Sequence, residues 1–326
     1  MVPSLFGRLL LGTGIGLSLG IGAINRAAAL PPPAPTAPAQ TAMPVGPSPD
    51  QPQAPVYEHA AVRQLVAFVE AAAAQIEQRG EKAFPELRRR GGRWFQGDRY
   101  VFVTDPQARL LVYPPDPGSE GASILGDQDF GGKPIGRMLV ERAGEADGRG
   151  WVHYQWRRPN RHDRRPVWKS TYVVRAKLPS GASVLVGSGL YEPPMEKAFV
   201  VDEVEAAAVL LQQQGRAAFP QLRDRRGRFF YNDTYVFVDT PQGVELVNPA
   251  FAEVEGRNIL QLRDAEGRPM VRDYLQLARE RGSGWTRYLW PQPDHSSLPV
   301  RKHTYVRQVV LPDGEILVVG SGLYDP

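Results

Sequence analysis

Cysteine is absent from this 326-residue chain. That excludes disulfides, a lipid-modified cysteine, thiolate metal sites and a cysteine nucleophile, so stability has to come from packed cores. An exported protein without disulfides suits a bacterial envelope better than a small extracellular scaffold. Histidine is scarce, with five in the chain; only His162 and His295 fall in roughly corresponding places, and no pair has metal-ligand spacing. Charge of one sign is also lacking. The net charge of +4 becomes +2 once Arg8 and Arg26 leave with an N-terminal leader, so nucleic-acid binding is not implied. The run Arg88-Arg89-Arg90 is interrupted in its counterpart, Arg223-Asp224-Arg225-Arg226, and reads as solvated surface.

The apolar run Leu9 to Ile24 has sixteen residues, five of them glycine, which is short of the roughly 20 that a spanning helix needs. With Arg8 before it and Ala27-Ala28-Ala29 after it, the run has the order of a secretory signal, and residues 1–29 are expected to be a cleaved leader. Residues 31–55 hold ten prolines. Such a composition cannot bury enough apolar surface to offset chain ordering, so residues 30–56 read as a disordered spacer. The rest of the chain has room for two ordinary domains.

Val186-Gly187-Ser188-Gly189-Leu190-Tyr191 returns as Val319-Gly320-Ser321-Gly322-Leu323-Tyr324. A period of about 135 residues is domain-sized, so the chain is a duplicated module, with copies expected at 57–195 and 196–326. Each copy opens on an alanine-rich helix, Ala60 to Arg79 or Glu196 to Gln214, closed by Gly80 or Gly215. A proline bend at Phe84-Pro85 or Phe219-Pro220 comes next, then Tyr100-Val101-Phe102-Val103 or Tyr235-Val236-Phe237-Val238, read as the first strand of a hairpin. Asp129 to Pro134 and Asp264 to Pro269 lead into a second helix, reaching Arg142 or Arg281; the two aspartates read as turn or cap residues rather than metal ligands. Three strands close each module, giving an α+β order of helix, two strands, helix, three strands.

Strand alternation puts Tyr154 and Trp156 on one face and Trp151 on the other, with Tyr288, Trp290 and Trp285 repeating the arrangement. Aromatic rings combine apolar area with a polar rim and a lysine supplies charge for an anion, so Lys169 with Tyr172, and Lys302 with Tyr305, join these aromatics as candidate ligand contacts. Packing aromatics and edge-protecting lysines are the competing reading. Ser188 and Ser321 lie in Gly-Ser-Gly, but valine stands where a nucleophile elbow needs glycine and no repeated base accompanies them, so no catalytic residue is expected.

The ordered recurrence of Tyr-Val-Phe-Val, Asp-x-x-Gly-Lys/Arg-Pro, Lys-x-x-Tyr-Val and Val-Gly-Ser-Gly-Leu-Tyr, together with Gly150-Trp151-Val152-x-Tyr154-x-Trp156, resembles the Cache family of extracytoplasmic sensor domains, particularly the type-2 single Cache module, in two copies over residues 57–326. The resemblance implies tandem PAS-like modules, each a central antiparallel sheet with a long N-terminal helix and a pocket for a small organic molecule, often a short carboxylate. Family members often carry His-Pro after the second strand. Here Tyr113-Pro114 and Asn248-Pro249 stand there, which adds Tyr113 and Asn248 to the candidate contacts and implies that the two pockets need not take the same compound.

Together these features point to an exported, periplasmic or secreted, non-enzymatic binding protein of the sensor type for small organic anions such as carboxylates, without a cofactor or metal. Because typical sensory members continue into a transmembrane helix and this chain ends shortly after Tyr324, a bound ligand is expected to be reported to a separate envelope receptor. An uncleaved N-terminal anchor is the alternative for location. For function the alternative is an envelope interaction protein whose modules have closed pockets, and a hydrolase using Ser188 and Ser321 is the third.

Overall fold

The computed structural model describes residues 55–159, 165–293 and 298–325; the leader, most of the proline-rich segment, His162 and His295 lie outside them. Helix α1 (Ala60–Arg79) buries Val62, Leu65, Val69, Ala72, Ala73 and Ile76, a spacing that presents one stripe to the sheet. Each of its buried valine, leucine and isoleucine side chains contributes about 1.5–3 kcal/mol. Gly80 ends the helix with φ of 61°, a conformation that costs glycine least. Pro85 then sits in the first turn of the short helix α2 (Phe84–Arg88), where its missing N–H is harmless.

The first module continues through a two-residue hairpin, β1 (Phe95–Gln96) and β2 (Arg99–Tyr100), then β3 (Phe102–Thr104), β4 (Leu110–Val112), α3 (Ile135–Gly144), β5 (Arg149–Trp156), β6 (Val167–Lys177) and β7 (Ser183–Tyr191). The second repeats it with α4 (Lys197–Gln214), α5 (Phe219–Arg223), β8 (Phe230–Tyr231), β9 (Thr234–Tyr235), β10 (Phe237–Asp239), β11 (Glu245–Val247), α6 (Met270–Arg281), β12 (Ser283–Pro291), β13 (Pro299–Val310) and β14 (Ile316–Tyr324). Each module forms one five-stranded sheet, ordered β4-β3-β7-β6-β5 and β11-β10-β14-β13-β12, and every pairing within them is antiparallel. The expected fold class is thus the observed one. The last strand returns to the middle of its sheet, which places the repeated Val-Gly-Ser-Gly-Leu-Tyr string at the sheet's centre.

Both faces of each sheet are covered. In the first module, α1 packs on Val101, Trp151, Tyr172, Val174 and Val186, while α3 packs over Tyr100, Phe102, Val152, Tyr154 and Val173. The second module repeats this with α4 on one face and α6 on the other. Gly150 explains part of the Gly-Trp pattern. A Cβ there would lie 1.9 Å from Arg142 Nε, so the glycine lets the buried guanidinium lie across the strand.

The modules touch through specific polar contacts. Arg142 pairs with Asp202 at 2.7 Å, and Lys133 Nζ donates to the carbonyls of Gly227 and Phe230. Glu196, ahead of α4, accepts the N–H groups of Glu58 and His59 at 2.7 Å each, neutralising donors beside the start of α1. His153 stacks on Tyr231 with ring centroids 3.9 Å apart.

Candidate ligand pocket

The repeated string makes room for the site. In the first module a Cβ on Gly187 would meet Phe102 at 2.3 Å and one on Gly189 would meet Lys169 Cε at 2.5 Å; Gly320 and Gly322 stand in the same relation to Phe237, at 2.4 Å, and Lys302 Cε, at 2.8 Å. Glycine in β7 and β14 therefore lets a phenylalanine and a lysine lie flat across the sheet. The string ends on the tyrosine that completes a cross-strand row. Register pairs Tyr154 with Lys169 and Lys169 with Tyr191, and likewise Tyr288 with Lys302 and Lys302 with Tyr324.

Lys169 and Lys302 are each only 1% exposed. Lys169 Nζ donates to Tyr100 Oη at 3.0 Å and lies 4.7 Å from the ring centroid of Tyr100 and 4.9 Å from that of Tyr191. Lys302 Nζ lies 3.9 Å from the centroid of Tyr235 and 5.2 Å from that of Tyr324. The ring faces attract the ammonium, but loss of hydration prevails: burial lowers each lysine from its usual range to about 7. A group held there accepts an anionic ligand as its missing counter-charge.

In the second module these residues border a small cavity, open to solvent and with free room of about 20 Å3, lined by Tyr235, Phe237, Glu245, Asn248, Ile259, Met270, Val271, Tyr274, Tyr288, Trp290 and Lys302. Helix α6 supplies Met270, Val271 and Tyr274. Trp290 Nε1 donates to Tyr235 Oη at 3.1 Å, Thr304 Oγ1 to Tyr288 Oη at 3.0 Å, and Asn248 Nδ2 to Glu245 Oε1 at 2.7 Å. Such bonds fix the rotamers of the wall. An aromatic and aliphatic lining with a few convergent polar groups is what small-molecule sites present.

The candidate contacts divide between the two faces. Tyr113, Tyr154, Trp156 and Lys169 share the α3 face, and Asn248, Tyr288, Trp290 and Lys302 line the cavity. Trp151 and Tyr172 instead pack under α1, where Trp151 Nε1 donates to Tyr57 Oη and Tyr172 Oη to Glu70. Trp285 and Tyr305 pack under α4, with Tyr305 Oη donating to Glu205. Side-chain alternation along β5, β6, β12 and β13 puts these four on the sheet faces opposite the lysines. Tyr100, Tyr191, Tyr235 and Tyr324 also border the lysines, and their recurrence in both copies is the sequence signal for them. Asp239, Glu245 and Tyr274 have no such signal, because they do not recur.

Ser188 and Ser321 are buried on the α1 and α4 faces of their sheets, donating to Tyr100 O at 2.6 Å and Glu203 Oε2 at 2.7 Å. They tie strand to neighbour. Asp129 accepts N–H groups from Gly131, Lys133 and Gln155, and Asp264 from Glu266, Arg268 and Leu289. Each aspartate closes its turn and pins it to the adjacent strand. Among the described residues, Glu58, His59 and Glu196 are brought within possible metal-ligand reach, but the Glu196 oxygens already accept backbone N–H groups. No helix among the described residues is long and apolar enough to cross a membrane.

The profile of the Cache domain family matches residues 88–197 and 206–324. The methyl-accepting chemotaxis protein McpP of Pseudomonas putida is 30% identical over 145 residues, covering 41% of this chain and 26% of that receptor. The aligned part is about a quarter of the receptor's length. Among solved structures, a periplasmic sensor domain of a chemotaxis protein is 32% identical over 38% of this chain and 90% of its own, with a TM-score of 0.33. A Cache chemosensory domain solved for carboxylic acid recognition is 25% identical over 39% of this chain and 91% of its own, with a TM-score of 0.32. With a matched stretch in each module, together covering most of the residues, the chain belongs to the Cache domain family of sensor domains.

Proposed function

We propose that this protein is an exported sensor-type binding protein that captures small organic molecules with an anionic group, using Lys169 and Lys302 as the positive poles of its two modules. The observation that carries the proposal is the cavity of the second module, where a buried ammonium stands at a wall of tyrosines. Nothing in that arrangement calls for covalent chemistry, since the serines of the repeated string lie on the opposite face. The likeness to a methyl-accepting chemotaxis protein supports a sensory role. Export to the periplasm rests on the leader-like residues 1–29, and a reporter fused after residue 29 should reach that compartment.

A thermal-shift screen of short carboxylates tests the binding claim, because a ligand selective for the native state raises the melting temperature by mass action. At least one carboxylate should raise it, and Lys169→Met with Lys302→Met should abolish the rise. A folded protein unmoved by a broad screen of carboxylates, amino acids and amines contradicts the proposal. One observation favours the interaction-protein reading for the first module: Lys169 already donates to Tyr100 and is enclosed by tyrosines. That reading predicts an unchanged melting curve for the Lys302→Met variant at every ligand concentration.

A further inference from the structure

The loop that leads into the two-residue hairpin is built the same way in both modules. Gly92 N–H donates to Arg89 O at 3.0 Å and Gly227 N–H to Asp224 O at 2.7 Å, and a Cβ on either glycine would meet that carbonyl at 2.9 Å. Trp94 O and Phe229 O then accept the N–H groups of Val101 and Val236 at 3.1 Å each. Arginines lie over rings at matching places. Arg90 is over Phe95 and Arg93 over Trp94 in the first copy, as Arg225 is over Phe230 and Arg228 over Phe229 in the second.

In the second module this loop is a docking element. Arg228 pairs with Glu145 at the C-terminal end of α3, where a cation also offsets the helix dipole. The carbonyls of Gly227 and Phe230 accept the Lys133 ammonium just ahead of the same helix. A helix of one module is thereby gripped at both ends by a loop of the other.

The equivalent loop of the first module is more basic. Residues 88–99 hold five arginines and one acid, against four arginines and two acids over 223–234, so the first copy lacks acids that balance the second. Arg89 stands where the second module has Asp224, and Arg99 where it has Thr234. Arg88 is committed to Glu120 at 2.7 Å. Arg89 and Arg93 are exposed and Arg99 is half-buried, and among the described residues no carboxylate pairs with these three. Two of them are also held in place. Arg93 Cζ lies 4.4 Å from the ring centroid of the buried Trp94, Trp94 lies 5.2 Å from Phe68 of α1, and Arg99 Cζ lies 4.7 Å from Phe68. A guanidinium already placed over a ring gives up less freedom when it takes a carboxylate, and its fork of N–H donors matches that anion. A lipid surface fits less well, because the hairpin tip, Gln96 and Gly97, offers it no apolar or basic side chain.

We propose that residues 89–99 of the first module are a docking site for another protein and that they take the acidic end of a helix, as the second module's loop takes the end of α3 within this chain. Arg93 receives the acid that corresponds to Glu145, and Arg89 and Arg99 receive carboxylates beside it, spaced one turn apart as Glu141 and Glu145 are. The site is separate from the buried lysines and does not depend on what they bind.

The test is fluorescence anisotropy of the full chain with a labelled, alanine-based helical peptide that carries two glutamates one turn apart at its C-terminal end. The glutamate peptide should bind about tenfold more tightly than its glutamine counterpart, with the difference shrinking as salt is added. Arg93→Gln with Arg99→Gln should remove that difference. Arg279→Gln with Arg281→Gln, which takes the same charge from exposed positions of α6, should leave it in place. Melting curves check that the variants are folded; if the double change at Arg93 and Arg99 is not, Arg89→Glu alone is compared. Equal binding of the two peptides, or equal loss in the α6 variant, overturns the proposal. Binding to phosphatidylglycerol vesicles without binding to the peptide overturns it in favour of a membrane surface. In sedimentation the chain alone should stay a monomer, and an assembly that Arg93→Gln abolishes overturns the assignment to another protein in favour of a second copy.

Discussion

Among the described residues no carboxylate is in hydrogen-bond contact with the buried Lys169 or Lys302, and the consequences can be measured one residue at a time. Replacing Lys302 with methionine keeps the stem's volume and removes the ammonium, so the ligand-free protein should gain about 1–3 kcal/mol, read as a higher midpoint in denaturant, while its response to ligand disappears. A loss of stability would mean that the ammonium is satisfied by the protein alone. Both lysines sit at about 7 in the fold because burial disfavours their charged form, against roughly 10.4 in the unfolded chain. Between those values the unfolded chain binds the extra proton, so stability contributed by Lys302 should rise as pH climbs from about 7 towards about 10. The difference between wild type and Lys302→Met isolates that slope. Binding of a plain carboxylate runs the other way. On the Lys302→Met chain, where Lys169 remains, affinity should weaken as pH rises past the lysine's midpoint, by up to about tenfold per unit; a flat titration curve from pH 6 to 9 contradicts an ammonium-centred site.

At the scale of elements, strand β14 carries the design of the pocket floor. A methyl group at Gly322 would come within 2.6 Å of His303 O and 2.8 Å of Lys302 Cε. Gly322→Ala should therefore cost about 2 kcal/mol through overpacking and weaken ligand binding by displacing the lysine; urea denaturation and calorimetry read the two effects separately. Much of this architecture is legible in the sequence. Ala60 to Arg79 reads as a helix from its alanines and closing glycine, and the alternation of Trp151, Tyr154 and Trp156 reads as two faces. Which face holds the pocket is not legible, because α1 and α3 cover opposite sides with equally apolar residues and both faces carry aromatics. Nor can the string Val-Gly-Ser-Gly-Leu-Tyr show that its glycines clear space for Phe237 and Lys302. Those contacts join residues distant in sequence, and register alone brings them together.

Across the whole molecule, the two modules share the lysine, the tyrosine row and the two glycines and differ where one has Thr104, Leu110 and Tyr113 and the other has Asp239, Glu245 and Asn248 at the equivalent places. The shared residues mark the common task, and the divergent ones set the two sites apart. The acids are invisible to a search for recurrence, since recurrence selects what two modules have in common. Arg142 links the copies physically, pairing with Asp147 of its own module and Asp202 of the next at 2.7 Å each. Its replacement by leucine leaves those acids uncompensated and should destabilise the protein by about 3 kcal/mol, with scanning calorimetry expected to show a lower midpoint. The central claim is that a ligand sits against the buried lysines. A crystal structure of the full chain, grown with a compound that raises its melting temperature, tests this most directly: the account predicts ligand density with an anionic oxygen about 3 Å from Lys302 Nζ or Lys169 Nζ, and ligand bound elsewhere with both sites empty contradicts it.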